Sequence, residues 1–345
     1  MPRLITIDGT QGEGGGQVVR TSLSLSAITG RPIHIDGVRG GRAKPGLMRQ
    51  HLTAARAVAA ICDGALGGDT LKSETLTLTP GPIRADEYRF DIGTAGSTAL
   101  VIQTVLPILL HADGPSTVTV TGGTHNLNAP SADYLMTTFI PCLSAMGADT
   151  DLELVQHGFY PAGGGEVRLR IKPWTDRRPM IADTRGETGP LSAHAIIANL
   201  RPSIATREIK ALQRHLGIAD ERATVADVVA AGPGNSVMVN VPNAVLTEQF
   251  TTHGQHGIKA ETLCKQLAND VQDYLVSEAC VGEHLADQLL LPMALAAGGR
   301  FDTPDLSLHT RTNMDVIRAF GIADFDISQA ARKRFVVEVT PRPRP

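Results

Sequence analysis

Apolar positions along this chain recur with two periods, and glycines punctuate the changes between them. Helical spacing predicts helices over 17–29, 47–61, 96–110, 132–146, 205–216, 260–276 and 284–297. Shorter apolar stretches predict strands at 33–36, 117–121, 191–199, 237–241 and 300–303. Three passes share the order helix, strand, loop, helix, with loops at 37–46, 122–131 and 304–313. A last helix is expected over 314–320. One order recurring three times points to an internally repeated α/β fold. The run from Gly158 to Glu166 echoes an earlier glycine run and reads as the start of the third unit.

Spacing locates an insertion. The interval from Gly114 to Gly299 is more than twice that from Gly30 to Gly114, and the surplus is about one small domain. The expected organisation is a repeated domain of residues 1–183 plus 280–340 and an inserted small α/β domain at 184–279. A linker-like run from Lys172 to Pro179 precedes the insert, and its edges near Asp183 and Cys280 read as exposed linkers. Residues 341–345, Pro-Arg-Pro-Arg-Pro, read as a disordered tail.

Composition narrows the function classes. Apolar residues at 42% and charged residues at 19% describe a globular chain with ample core. A net charge of −3 excludes a global basic field, so any polyanion must be gripped by local arginines. Cys62, Cys142, Cys264 and Cys280 are dispersed, as expected of buried thiols in a reducing compartment. No long apolar run or leader-like N-terminus is present, so the expectation is a cytoplasmic protein.

The densest chemistry lies at residues 8–21, where Gly9, Gly12, Gly14, Gly15 and Gly16 surround Glu13 and open into a helix. Such a run suits close approach of main chain to an anion at a helix N-terminus, or a flexible hairpin tip. It is neither a Walker A loop nor a Rossmann fingerprint. A carboxylate within an anion site suggests a bridging cation, which makes Glu13 a candidate metal contact. Arg39, Arg42 and Lys44 follow in a glycine-rich loop, with Gln50 and His51 beyond. Two arginines three apart fit a terminal phosphate or a solvated basic turn, and Arg20 on an otherwise apolar helix favours the first. The second loop carries His125, Asn126, Asn128 and Pro130, and the third His309 and Arg311. If the units converge, these loops meet. His309 is a candidate nucleophile towards phosphorus, and Ser307, Thr310 and Thr312 beside it could bind phosphate or orient the ring. Glu283, Asp287 and Gln288 open a last apolar helix, where Asp287 needs a metal, hydroxyl or arginine partner.

Taken together, DGTQGEGGGQVVR, RGGRAKPGLMRQH, GTAGSTALVIQTVLP, HGFYPAGGGEV, GEHLADQLLLPMALA and LHTRTN resemble the RNA 3′-terminal phosphate cyclase family over essentially the whole chain. The resemblance implies three βαβαββ-type repeats around a pseudo-three-fold axis plus the smaller inserted domain. It implies ATP and a divalent metal, Mg or Mn, used to convert RNA 3′-phosphate ends to 2′,3′-cyclic phosphates with release of AMP and pyrophosphate. By motif, His309 corresponds to the residue that becomes adenylylated. Arg20, Arg39, Arg42, Gln50 and His51 correspond to the phosphate-handling group, Glu13 to a metal contact and Asp287 to a second. Gln103, Pro130, Glu283, His284, Leu285, Ala286, Asp287 and Gln288 correspond to nucleotide-binding positions, with His284 where some members carry tyrosine. The alternatives are a non-catalytic ribosome-biogenesis relative, disfavoured by His309, and an enolpyruvyl-type transferase, disfavoured by GEHLADQ.

Overall fold

The computed structural model describes residues 3–343. A first sheet, ordered β1-β2-β4-β3, contains β1 (Ile5–Asp8), β2 (Ile33–Asp36), β3 (Ala65–Gly67) and β4 (Thr75–Thr79). Helices α1 (Gly16–Thr29) and α2 (Arg49–Ile61) lie between its strands in sequence. The second sheet, ordered β5-β6-β8-β7, contains β5 (Glu87–Asp91), β6 (Ser116–Gly122), β7 (Thr150–Gln156) and β8 (Gly165–Ile171). Its helices are α3 (Thr98–Leu109) and a broken segment, α4 (Ala132–Tyr134), a π-turn (Leu135–Phe139) and α5 (Ile140–Ala145).

After β9 (Met180–Ala182) the chain leaves for the inserted unit and returns. That unit pairs β10 (Ser192–Ala198), β11 (Ala223–Asp227), β12 (Gly234–Pro242) and β13 (Thr247–His253), and adds α6 (Ser203–Leu216) and α7 (Ala260–Ser277). Then α8 (Glu283–Leu295), β14 (Gly299–Thr303), α9 (Leu308–Ala319), β15 (Ala323–Ala331) and β16 (Arg334–Pro341) complete a third sheet, ordered β15-β16-β14-β9.

The fold is mixed α/β. Each of the first three sheets has one parallel pair, β1 with β2, β5 with β6 and β9 with β14, followed by two antiparallel pairings. Their helices meet in the middle: α1 packs on α2, α3 and α9, and α8 packs on α9. Buried serines on α1 allow this close approach, and Ser24 Oγ donates to Thr104 O of α3 at 2.7 Å. One apolar core runs beneath all three sheets, from Ile7 and Leu23 through Val105 and Leu169 to Phe301 and Val337. The insert has a core of its own, including Ala195, Leu212, Val239 and Val271.

Arg185 ties the two ends of the insert together. It is buried, donates Nε to Ala279 O at 2.8 Å and Nη1 to Leu275 O at 2.9 Å, and lies over the Tyr274 ring at 4.1 Å. Cys280 is likewise fully buried, so the downstream edge expected as an exposed linker is closed, while Thr184, Gly186 and Glu187 beside Arg185 are exposed. All four cysteines are free and buried.

Several boundaries differ from the sequence reading. The glycine run from Gly158 feeds β8 and so closes the second sheet rather than opening a third unit. The helix expected across 132–146 is interrupted by the π-turn. The expected loop 304–313 is half helix, because Ser307 caps α9 by accepting from Thr310 N. Of the expected tail, Pro341 belongs to β16 and Arg342 Nη2 donates to Asp324 Oδ1 at 2.5 Å, while 344–345 lie outside the described residues.

Candidate active site

The glycine run fills the turn between β1 and α1. Gly14 has φ +54° and lies against the backbone of Gly41, whose N–H donates to Gly14 O at 3.0 Å. A side chain at Gly14 would therefore be strained twice, by conformation and by space. Gly16 lets the first turn of α1 pass directly under His51 and Arg20, and a Cβ there would strike His51 Nε2. The run thus joins two loops and brings α1 against α2.

A basic group surrounds this turn. His51 is 5% exposed, and burial together with the charges of Arg20, Arg39 and Arg42 pushes its pKa down to about 3. Its Nδ1 is buried without a hydrogen-bond partner among the described residues. Burial also pushes Arg20 down to about 10, against the opposing charge of Asp287. Arg39 adopts φ 55°, and its Nη1 donates to Lys44 O and Gly46 O, both at 2.8 Å, so it braces its own loop. Gln50 Oε1 accepts from Ser97 N at 3.0 Å, which links α2 to the cap of α3. Arg42 pairs with Glu13, whose side chain is 7% exposed.

His309 stands in the first turn of α9 with its side chain half exposed. Burial, and then Arg42, Arg20 and His284, hold its pKa below the usual imidazole value, so the ring is neutral at neutral pH. Its Nδ1 lies 2.9 Å from Gln17 Oε1 and 3.7 Å from Glu13 Oε2. Gln17 Nε2 donates to Asp287 Oδ2 at 2.5 Å. Burial raises Asp287 to about 7, although Gln17 and Arg20 oppose the shift. At the next position of α8, Gln288 Oε1 accepts from Gln103 Nε2 at 2.5 Å. Gln17, Arg20, Gln103, Asp287, Gln288 and Asn313 line one groove.

Other expected residues fall elsewhere. Leu285 and Ala286 are fully buried, while Glu283 and His284 are exposed at the start of α8 and Pro130 is half-buried in the loop before α4. His125 does not join His309's surroundings. Its Nε2 meets Asp133 Oδ2 at 2.7 Å, and its ring stacks on His157 and meets His253 edge-on, beside the insert. Thr310 and Thr312 are buried and structural: Thr312 Oγ1 donates to Leu308 O at 2.6 Å. Among the described residues no three acids, histidines or cysteines form a metal-holding group, and Asp287 faces Gln17.

Sequence reasoning missed Gln17. A signal was present, since a polar Gln17 one helical turn before Arg20 places both side chains on one face of α1.

Comparison with known proteins adds the family. The family model described as RNA 3′-terminal phosphate cyclase matches residues 11–327. A protein of that name from Salmonella agona (strain SL483) is 48% identical over 330 residues, covering 96% of each chain. One from Ralstonia nicotianae (strain ATCC BAA-1114 / GMI1000) is 46% identical over 97% of this chain and 96% of its own. One from Koribacter versatilis (strain Ellin345) is 45% identical over 94% and 92%. A solved enolpyruvyl transferase, NikO from Streptomyces tendae, aligns over 98% of this chain and 48% of its own at 11% identity and a TM-score of 0.37, a likeness too slight to bear on fold or function. On the family match and the near-full-length identities, the chain belongs to the RNA 3′-terminal phosphate cyclase family and is an enzyme of that type.

Proposed function

We propose that this enzyme uses ATP to convert an RNA 3′-terminal phosphate into a 2′,3′-cyclic phosphate, through a histidinyl-AMP on His309 and an RNA(3′)pp(5′)A intermediate, with release of pyrophosphate and AMP. The observation that carries this reading is His309 itself. Its ring is neutral, engaged at Nδ1 by Gln17 and free of hydrogen bonds at Nε2 among the described residues, and it lies in the field of Arg42 and of Arg20, which lines a groove together with Gln17. A neutral imidazole nitrogen in such a field is a competent nucleophile towards phosphorus.

In the first step Nε2 attacks the α-phosphorus, the P–N bond forms, and the bond to the β-phosphate oxygen breaks. Arg20 and Arg42 offset the charge that grows on the leaving pyrophosphate. An oxygen of the RNA 3′-phosphate then attacks the same phosphorus and the P–N bond breaks. That leaves the 3′-phosphate esterified to AMP, a good leaving group. The neighbouring 2′-hydroxyl attacks the 3′-phosphorus at high effective concentration and AMP departs. The substrate end must therefore be ribose.

Glu13 fits a divalent ion better than any other acid here, because both carboxylate oxygens are buried and, apart from the Arg42 ion pair at Oε1, neither has a hydrogen-bond partner among the described residues. Glu13 would hold the ion, with substrate phosphates as the remaining ligands, and the ion would supply charge neutralisation at the pyrophosphate. Gln103, Gln288, the exposed His284 and the half-buried Pro130 would take the adenosine. No helix among the described residues is long and apolar enough to cross a membrane.

The test is incubation with α-labelled ATP, followed by a 3′-phosphorylated oligoribonucleotide. The protein should acquire an acid-labile, alkali-stable label that His309→Ala abolishes, and the oligonucleotide should gain a cyclic end. A 2′-deoxy terminus should accept AMP without cyclising. Full labelling of His309→Ala would sink the nucleophile assignment.

A further inference from the structure

Gln17 sits between His309 and Asp287, on two different helices. One end of its amide meets His309 Nδ1 at 2.9 Å, and the other meets Asp287 Oδ2 at 2.5 Å. Gln17 is 6% exposed, on the first turn of α1. Asp287 is fixed in turn, because Asn313 Nδ2 donates to its backbone carbonyl at 2.8 Å and Thr21 Oγ1 donates to Asn313 Oδ1 at 2.8 Å.

With Asp287 ionised, the form that Gln17 and Arg20 favour, the donors and acceptors in this chain have one consistent assignment. A carboxylate can only accept, so Gln17 then turns its NH₂ towards Asp287. Its carbonyl oxygen then faces His309, and a carbonyl oxygen can only accept, so the hydrogen of the neutral ring must sit on Nδ1. Nε2 keeps its lone pair and points away from Gln17. From this geometry we infer that Gln17, oriented by Asp287, is a positioning residue that holds His309 as the Nδ1–H tautomer during adenylyl transfer. The inference rests on the adenylyl-transfer reading above.

A glutamine is also the right chemical type for two successive transfers. When Nε2 attacks phosphorus, the ring keeps its Nδ1 hydrogen and becomes a cationic N-phosphoryl imidazolium. A neutral amide stabilises that N–H without removing the proton. The imidazolium nitrogen is then a good leaving group when the RNA phosphate attacks. The electron pair of the breaking P–N bond returns to Nε2, and the ring is restored as it began. No proton leaves the imidazole at any stage, so the transfers need no base at Nε2. Glu13, 3.7 Å from Nδ1, lies beyond hydrogen-bond range and adds charge rather than a defined direction.

The test combines spectroscopy with rapid kinetics on the full-length protein labelled with ¹⁵N-histidine. The parent should show His309 as the Nδ1–H tautomer by its two ring ¹⁵N shifts. Gln17→Met, similar in size but without an amide, should show a mixture of tautomers. Its single-turnover self-adenylylation with ATP should slow at least tenfold with little change in the ATP concentration that gives half-maximal rate. The double variant Gln17→Glu with Asp287→Asn reverses the polarity of the link yet keeps an acceptor on the ring, and should restore the tautomer and much of the rate. An unchanged tautomer in Gln17→Met overturns the inference, whatever its rate. So does a slowed Gln17→Met that the double variant rescues in neither respect. If the parent takes no label from ATP, the functional reading fails instead, and the tautomer spectra still decide whether Gln17 sets the ring.

Discussion

The backbone N–H of Glu13 donates to Thr312 Oγ1 at 3.0 Å, so the glycine turn and the helix bearing His309 are fastened at one point. The same hydroxyl donates to Leu308 O, which leaves it fully engaged. Thr312→Val keeps the shape and removes the bond, leaving the Glu13 N–H without its partner at a cost of about 1 kcal/mol. The expected result is a roughly fivefold rise in KM for ATP, while Thr312→Ser stays near the parent. An unchanged KM in the valine variant would show that the turn is held by other means.

Glu13 and Arg42 form a pair in which the acid is buried and the base is nearly half exposed. Each should therefore depend on the other during self-adenylylation. In a double-mutant cycle, Glu13→Ala and Arg42→Ala should be non-additive by about 1–2 kcal/mol, above the range of a surface pair. Arg39 is expected outside this cycle, because its Nη1 braces the carbonyls of Lys44 and Gly46. Strict additivity of Glu13 and Arg42 would separate the two residues functionally.

The legible part of this molecule was what lies close in sequence. Glycines, caps and apolar spacing placed α1, β2, α3 and β6 within a residue or two. The glycine turn, the arginine loop and His309 were each visible as local clusters of unusual residues. What stayed hidden depends on distant partners. Gln17 and Asp287 are 270 residues apart, and nothing near either one names the other. His309 read as a loop residue because Thr310 and Thr312 are weak helix formers, yet the Ser307 cap starts the helix before them. His125 read as a residue of the second converging loop, but its neighbours Asp133, His157 and His253 come from other elements and draw it towards the insert.

Two buried groups set opposite limbs of the stability profile. Burial raises Glu248 to about 8 from its usual 4.5, against its bond from Gly282 N and the charge of Arg185. The folded state therefore keeps a proton that the unfolded chain loses, and stability falls as pH rises from about 4.5 to 8. Burial, aided by His125, lowers His253 to about 4 from 6.5, so its contribution is present above 6.5 and fades as pH falls towards 4. Glu248→Gln should flatten the alkaline limb and raise the melting temperature at pH 8.5 relative to the parent. His253→Gln should flatten the acid limb. A parallel shift of the whole curve in either variant would assign the effect to packing instead.

The segment 184–279 is proposed as a separately folding unit, and its own apolar core supports this. Its edges, however, are held by Arg185. Limited proteolysis should therefore spare Asp183 and Cys280 and cut first in the exposed loop from Gly254 to Lys259. Arg185→Ala removes donors from buried carbonyls and should destabilise by about 3 kcal/mol or more. It should also open the edges to protease. Early cleavage at the edges of the parent protein would contradict the proposed staple.

The position of the insert also bears on how the chain finds its shape. Strand β9 is three residues long, and its partner β14 is reached only after the whole inserted unit has been made. An unstructured segment of that length would charge the pairing a large loop-closure entropy and slow it accordingly. Once the insert has folded and Arg185 has drawn its ends together, β9 and α8 are separated by a short bridge instead. The third sheet is therefore expected to form late, with the helix that carries Asp287 and Gln288 docking after the insert.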